Sequence, residues 1–465
     1  MTQQVDYCRI DGDKLRLWQM IDDACEGEQA IKKGGDNYLP KLNRHDITEQ
    51  NTERNSQYKL RASYFNATGR TRSGLMGVAF AKDPTAELPS NLEYLTDNAN
   101  GEGIGLEQVV QKTLSHVASL GRAGLLVDYP ATSGSMSKAE SAGKGATILR
   151  YHPRQIINWD TETVDGVTRL SLVVLKEQST TRKPGDFKHC DSIRYRVLEL
   201  IDGVYQVRIF EKSRKGFEEV DSFLPTDVSG KYWQEIPFTF VGAENNDTDF
   251  DQAPLADLAQ LNIAHYRNSA DLEEGSFIAG QPTLAMIGLN QTWYDNNIKD
   301  QVYLGVRGGI ALPTGADAKL LQASPNSLPL ELMKHKEEQM IKLGARLMLP
   351  GVNVTATATN SSDKSAYSVL ALCCANVSAA VTKCLQWCAQ YMGVTGDTWY
   401  EISRDFVTAQ LTAQDLLALV QLWQSGTVAK SDIRALLRKF EIVDPERTDE
   451  EIDADLENEP VPLSA

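Results

Sequence analysis

Histidine is scarce in this chain, with six in 465 residues at positions 45, 116, 152, 189, 265 and 335. None stands beside a nucleophile in a recognisable local motif, and neither His-Glu-x-x-His nor Gly-x-Ser-x-Gly occurs. That weighs against the familiar hydrolase and metalloprotease chemistries, although a site dispersed along the chain would escape the test. No run of 18 apolar residues exists, so no membrane span is expected. The start, Met1-Thr-Gln-Gln-Val-Asp6, lacks a basic segment followed by an apolar one, so no signal peptide is expected. Basic residues are outnumbered, 47 against 63 acidic, for a formal charge of −16. Such a chain gains no affinity for nucleic acid by neutralising phosphates. It reads either as a plain soluble acidic protein or as a surface that lies near DNA without sticking to it. The seven cysteines are odd in number and scattered, which suits reduced thiols in a cytosol rather than a disulfide framework.

What is present begins with helices. Residues 13–26 form an amphipathic helix that Gly27 ends. Further helices are predicted over 48–65, 70–81 and 106–120; in the last, Val109, Val110, Leu114, Val117 and Ala118 recur at helical spacing. Strands then dominate, over 124–129, 147–151, 170–176, 193–200, 205–210 and 238–241, with Asp202-Gly203 as a hairpin signal. The first 250 residues are therefore an α+β body, helices first and a mostly antiparallel sheet after.

The polar segment 245–251 reads as a hinge, and Pro254 suits a first helical turn. A helix over 254–278 follows, about 35 Å long at 1.5 Å per residue. Leu255, Leu258 and Leu261 begin its stripe, and Asp271, Glu273 and Glu274 make its far end acidic. An insertion, 279–328, holds strand candidates at 283–287, 301–306, 309–312 and 319–322, and is too small for much core of its own. A returning helix over 329–347 carries Met333, Met340 and Leu347 in a narrow stripe suited to a neighbouring helix. The pattern is a stalk with a tip. A loop without large side chains, Asn353-Val-Thr-Ala-Thr-Ala-Thr-Asn-Ser-Ser362, leads into the most periodic segment of the chain, 364–392. Two short helices, near 412–425 and 431–440, come next. The stretch 449–459 carries seven acids and no base, and reads as a disordered tail.

Several motifs tempt a sharper reading. Cys373, Cys374, Cys384 and Cys388 could be metal ligands, but they lie on one apolar helix rather than on a zinc knuckle, so small core residues explain them better. Gly101-Glu-Gly-Ile-Gly105 lacks the third glycine and the preceding strand of a dinucleotide fingerprint. Gly143-Lys144-Gly145 lacks the Ser or Thr of a phosphate-binding loop. Arg434, Arg438 and Lys439 on the last helix could read DNA, but the acidic run beside them favours a plain helical hairpin.

The order of parts resembles that of tailed-bacteriophage portal proteins, in a branch long known only as phage proteins of unknown function. The strings that carry the resemblance are Asn37-Tyr-Leu-Pro40, Tyr58-Lys-Leu-Arg-Ala-Ser-Tyr-Phe-Asn66, Gly121-Arg-Ala-Gly-Leu-Leu-Val-Asp-Tyr-Pro130, Tyr151-His-Pro-Arg-Gln-Ile-Ile-Asn-Trp159, Pro254-Leu-Ala-Asp-Leu-Ala-Gln-Leu-Asn-Ile-Ala-His-Tyr266 and Arg404-Asp-Phe406. They span nearly the whole chain. The resemblance implies a wing over 1–253, stem helices over 254–278 and 329–349, a clip over 279–328 and a tunnel loop over 350–363. It further implies a long wing and channel helix over 364–396 and a helical crown over 397–448, leaving 449–465 as the acidic tail. It implies a ring, of about twelve copies in the virion, at one capsid vertex, assembled in the host cytoplasm. Double-stranded DNA would pass through it without sequence specificity. The terminase packaging motor and later a head–tail adaptor would dock on the clip. The major capsid protein is another implied partner, with a scaffold as a further candidate. No catalysis, cofactor, metal or membrane is expected, because the motor hydrolyses the ATP. The DNA-channel candidates are Asn353, Thr355, Thr357, Thr359, Asn360, Ser361 and Ser362, flanked by Lys364, Lys342 and Arg346. Trp293 and Tyr294 are candidates for the clip or adaptor contact. The alternatives are a cytosolic phage enzyme with a dispersed site, or another head-morphogenesis or adaptor protein.

Overall fold

The computed structural model describes residues 4–458 except 44, 130–144, 183, 214–215, 282, 298–311, 323, 325, 349–367, 405, 407–430, 432–433 and 435–446. The chain divides into two units, Met1–Val354 with Tyr367–Arg404, and Thr355–Ala366 with Asp405–Ala465.

The first unit opens with α1 (Gly12–Glu26), α2 (Glu28–Gly34), α3 (Glu49–Arg61) and α4 (Ala67–Ala79). Side-chain caps set the starts of α1, α3 and α4: Asp11 accepts from the Asp13 N–H, Thr48 from Asn51 and Asn66 from Gly69. The Asn66 cap corrects two expectations at once. It begins α4 earlier than residue 70, and the extended stretch before it stops α3 at Arg61 rather than 65. A short strand β1 (Thr85–Glu87) precedes α5 (Leu106–Leu120), which Gly121 ends in the left-handed region at φ 76°.

The expected sheet is two sheets. In the first, β2 (Arg122–Asp128) is central between β3 (Thr147–Tyr151) and β9 (Phe238–Gly242), all antiparallel. The second is an antiparallel meander of β4 (Ile156–Val164), β5 (Val167–Arg182), β6 (His189–Ile201), β7 (Val204–Ser213) and β8 (Gly216–Phe223). The Asp202-Gly203 turn has φ 51° and 77°, the doubly left-handed hairpin geometry, and Asp165-Gly166 repeats it at 52° and 78°. β4 and β8 escape the sequence pattern because they are the edge strands. Most side chains of β8 and of the outer half of β4 face water, so apolar alternation is lost.

The long helix is α9 (Val369–Met392). It begins later than residue 364, because Ser368 is extended and its Oγ caps the Ala371 N–H. It packs on α5, β2 and β9. Its length and mean hydropathy would suffice to cross a membrane, but its apolar face lies in this core. Cys373, Cys374, Cys384 and Cys388 are all buried there as free thiols, and burial pushes the Cys374 and Cys384 thiols up to about 12. The stretch after α9 belongs to this unit too: β12 (Trp399–Glu401) pairs antiparallel with β1.

The segment 245–251 is pinned rather than hinge-like. Arg122 is 2% exposed; its guanidinium lies 3.9 Å from the Phe240 ring centre and donates to the Thr248 and Asp249 carbonyls at 3.1 and 2.6 Å. Asp251 accepts from the Glu244 N–H, and Asn246 donates to the Asn376 carbonyl on α9, both at 2.8 Å.

In the second unit, the described residues include α10 (Asp449–Asn458). This corrects the expectation of a disordered tail for 449–458. Thr448 and Glu451 bond reciprocally as a capping box, and acids in the first turn suit the positive end of a helix. Arg434 holds the Asp453 carboxylate. Nearly all of 405–446, including both expected crown helices apart from Ser431 and Arg434, lies outside the described residues.

Candidate functional site

The stalk is built from α6 (Ala256–Ala279) and α8 (Leu328–Met348). Pro329 occupies the first turn of α8, where its missing N–H costs nothing. The helices are tied by three polar contacts. His265 Nε2 lies 3.0 Å from Glu337, and Lys336 donates to the Ala264 carbonyl at 3.0 Å and to the Asn268 side chain. Met340 is buried, at 3% exposed. Burial lowers the Lys336 pKa.

The sequence does not reveal how firmly α6 is held to the body. Its buried face runs through Leu258, Ala259, Asn262, Ile263, Tyr266, Ala270 and Glu274. Asn262 is 0% exposed and closes a hub. Its Oδ1 accepts from Thr68 N–H at 3.1 Å and Thr68 Oγ1 at 2.9 Å and lies 2.9 Å from the Tyr64 hydroxyl; its Nδ2 donates to the Phe65 carbonyl at 2.8 Å. The acidic far end of α6 is clamped by α3. Tyr58 donates to Asp271 at 2.7 Å, and Arg54 and Arg61 both hold the Glu274 carboxylate. A sequence signal for the hub existed: Asn262 sits at helical spacing among Leu258, Ala259, Ile263 and Tyr266.

The tip consists, among the described residues, of β10 (Thr283–Ile287), α7 (Gln291–Asn297) and β11 (Asp317–Leu321). The strands pair antiparallel, Thr283 opposite Leu321 and Ile287 opposite Asp317. Strands expected at 283–287 and 319–322 are present; those at 301–306 and 309–312 lie outside the described residues except Leu312. α7 was not anticipated. Trp293 is half-buried on it, its backbone N–H donating to Asn290 Oδ1 at 2.7 Å. The Tyr294 side chain is outside the described residues.

Of the channel candidates, Lys342 and Arg346 are exposed on α8. With Asp257, Gln260, Leu261 and Gln339 they line an open groove between the two stalk helices. Asn353, Thr355, Thr357, Thr359, Asn360, Ser361, Ser362 and Lys364 lie outside the described residues. The groove therefore offers two cations beside one carboxylate, a surface suited to transient anion contact. No group of three or more His, Cys, Asp or Glu side chains able to hold a metal occurs among the described residues.

The histidines that do cluster are structural. His116 lies 2.8 Å from the Arg150 guanidinium and edge-on to His152, 4.8 Å between ring centres. His152 and Arg154 both reach Asp22, at 3.2 and 2.9 Å. Burial, then the Arg150 charge, depress His116 to about 2. The unfolded chain binds this proton below about 6.5 while the folded chain does not, so stability falls as pH drops through that value. The loss expected from His116 is about 2 kcal/mol at pH 5. Urea denaturation of wild type and His116→Gln at pH 7.5 and 5 should show the smaller pH dependence in the variant.

A family described only as a domain of unknown function (DUF4055) matches residues 254–392, from the start of the stalk to the end of α9. No curated protein matches. Among solved structures, a chain from the virion of a native gene transfer agent particle is 16% identical with a TM-score of 0.43, over 82% of this chain and 92% of that one. A chain from the neck of the native particle, computed with C12 symmetry, is 17% identical at 0.38, over 80% and 89%. One from the neck of the empty particle, computed with C6 symmetry, is 16% identical at 0.40, over 88% and 98%. Scores this low do not establish a shared fold, and the functional reading rests on the residues themselves.

Proposed function

We propose that the chain is the subunit of a phage portal: a ring, of about twelve copies in the virion, through which double-stranded DNA is packaged and ejected at one capsid vertex. The observation that carries this reading is the stalk and tip. Ile278, Ile287, Leu320, Leu321, Leu332 and Ile341 on α6, the tip hairpin and α8 are all more than 40% exposed. A tip this small cannot bury them itself, and such a concentration of exposed apolar side chains marks an interface. Identical neighbours around an axis would cover them all. The stalk then becomes one stave of a barrel and the tip one tooth of a docking ring for the packaging motor and, later, a head–tail adaptor.

The chemistry of the bore follows from composition. Copies each carrying −16 give an acidic assembly that disfavours lasting phosphate contacts. The segment 353–362 has no basic, aromatic or large aliphatic side chain, so it neither ion-pairs with nor stacks on a passing duplex. Lys342, Arg346 and Lys364 supply brief contacts on either side of it. The ring performs no covalent chemistry; the motor hydrolyses the ATP. Replacing 281–327 by a short linker should abolish motor docking and DNA filling while empty capsid shells still assemble. Normal filling in that variant would contradict the assignment of the tip.

A further inference from the structure

The meander sheet carries an arm. β5 pairs with β4 only as far as Leu175, and β6 pairs with β7 only from Arg194 onward. Beyond those points five pairs continue alone, from Gln178 opposite Ile193 to Arg182 opposite His189. This two-stranded ribbon extends about 17 Å at 3.3–3.4 Å per residue. Gln178, Thr180, Thr181 and Arg182 on one strand, and His189, Cys190, Asp191 and Ile193 on the other, are exposed. At its turn Phe187 is 94% exposed. A lone ribbon is marginal in water, and a bare phenylalanine at its end adds nothing to its stability in an isolated chain.

The turn is basic on an acidic protein: Arg182 and Lys188 stand against Asp186. The same sheet has an open edge of opposite character. Among the described residues β8 pairs only with β7, and its exposed residues include Glu218, Glu219 and Asp221, with Val220 51% exposed among them. Unpaired strand edges are templates for another strand. Within one chain β7 stands between the arm and that edge, so the arm cannot reach it. The complement must come from a second copy.

We propose that the β5–β6 arm of one copy lies along the β8 edge of the next, its cations against Glu218, Glu219 and Asp221. The contact joins different surfaces of two identical chains, which closes a ring when the rotation permits. It rests on the ring reading above and adds to it a clasp far along the sequence from the stalk.

Cys190 places a native thiol on the arm, and of the other six only Cys8 is exposed. In a Cys8→Ser background, Val220→Cys and Ser222→Cys are introduced separately and assembled particles are oxidised. The expected result is a ladder of covalent oligomers from at least one variant on a non-reducing gel, absent when Cys190→Ser is added. Arg182→Glu with Lys188→Glu should raise the concentration needed for half-assembly at least tenfold, and Glu218→Lys with Glu219→Lys should restore it. Intact rings with no ladder from either variant and no effect of charge reversal would overturn the arm contact while leaving the ring reading in place. Loss of DNA retention alone, with assembly unchanged, would overturn it in favour of a nucleic-acid contact. Wild-type protein that forms no rings would remove the ring reading and the clasp with it.

Discussion

Asn262→Leu is expected to lower the stability of the first unit by about 3 kcal/mol or more, measured by urea denaturation as a reduced midpoint at unchanged slope. Leucine shares asparagine's branching at Cγ and is the larger side chain, so the effect is not a cavity. It comes from what the amide leaves behind. The Thr68 N–H and the Phe65 carbonyl lose their partner 2.8–3.1 Å away, and the site is 0% exposed, so water does not replace it. Each abandoned buried group costs about 1–3 kcal/mol. The Thr68 and Tyr64 hydroxyls can rotate toward other acceptors, since Tyr64 also lies 2.9 Å from the Ala24 carbonyl. Thr68→Val, which removes only one hydroxyl, should cost about 1 kcal/mol. A loss below that in Asn262→Leu would mean the hub does not anchor α6.

Ile341→Glu is expected to do the reverse: leave the folded monomer unchanged and dissolve the assembly. Ile341 is 72% exposed on α8, so a carboxylate there stays hydrated in an isolated chain. Against a neighbouring stalk it must lose that water without a designed partner, at several kcal/mol per contact. At 1.4 kcal/mol per tenfold, that weakens association by at least about a hundredfold. Light scattering should report monomers where wild type is assembled, with a melting temperature within about 2 °C of wild type. Equal assembly in both proteins would place Ile341 outside any interface.

What was legible in the sequence follows periodicity and punctuation. α5 is marked by Val109, Val110, Leu114 and Val117 and closed by Gly121, and the sequence places its ends where the structure does. The stalk helices follow from Pro254, Pro329 and their stripes. The Asp202-Gly203 turn is visible between two strand patterns, while the equivalent Asp165-Gly166 turn is not, because the strand before it, β4, is an edge with little apolar alternation. The acidic run at 449–458 has the charge density of a tail, yet the Thr448–Glu451 capping box begins a helix there.

The site was legible as an outline. Lys342 and Arg346 can be placed on the second stalk helix from spacing alone, and the structure puts both on a groove with Asp257. What holds the stalk is long-range and leaves no local pattern. Glu274 finds Arg54 and Arg61 more than 200 positions away in the chain. Asn262 could be flagged as polar among apolar neighbours at helical spacing, but its partners at Tyr64, Phe65 and Thr68 could not be named.

The central claim is that this chain works as a closed ring around DNA. Imaging of purified particles viewed down their axis, with native mass determination on the same sample, tests it most directly. The account predicts rings of identical copies around an open channel, with a mass that is a whole multiple of 51.4 kDa. A monomer under all conditions, with no rings even when capsid protein is produced alongside, would contradict it.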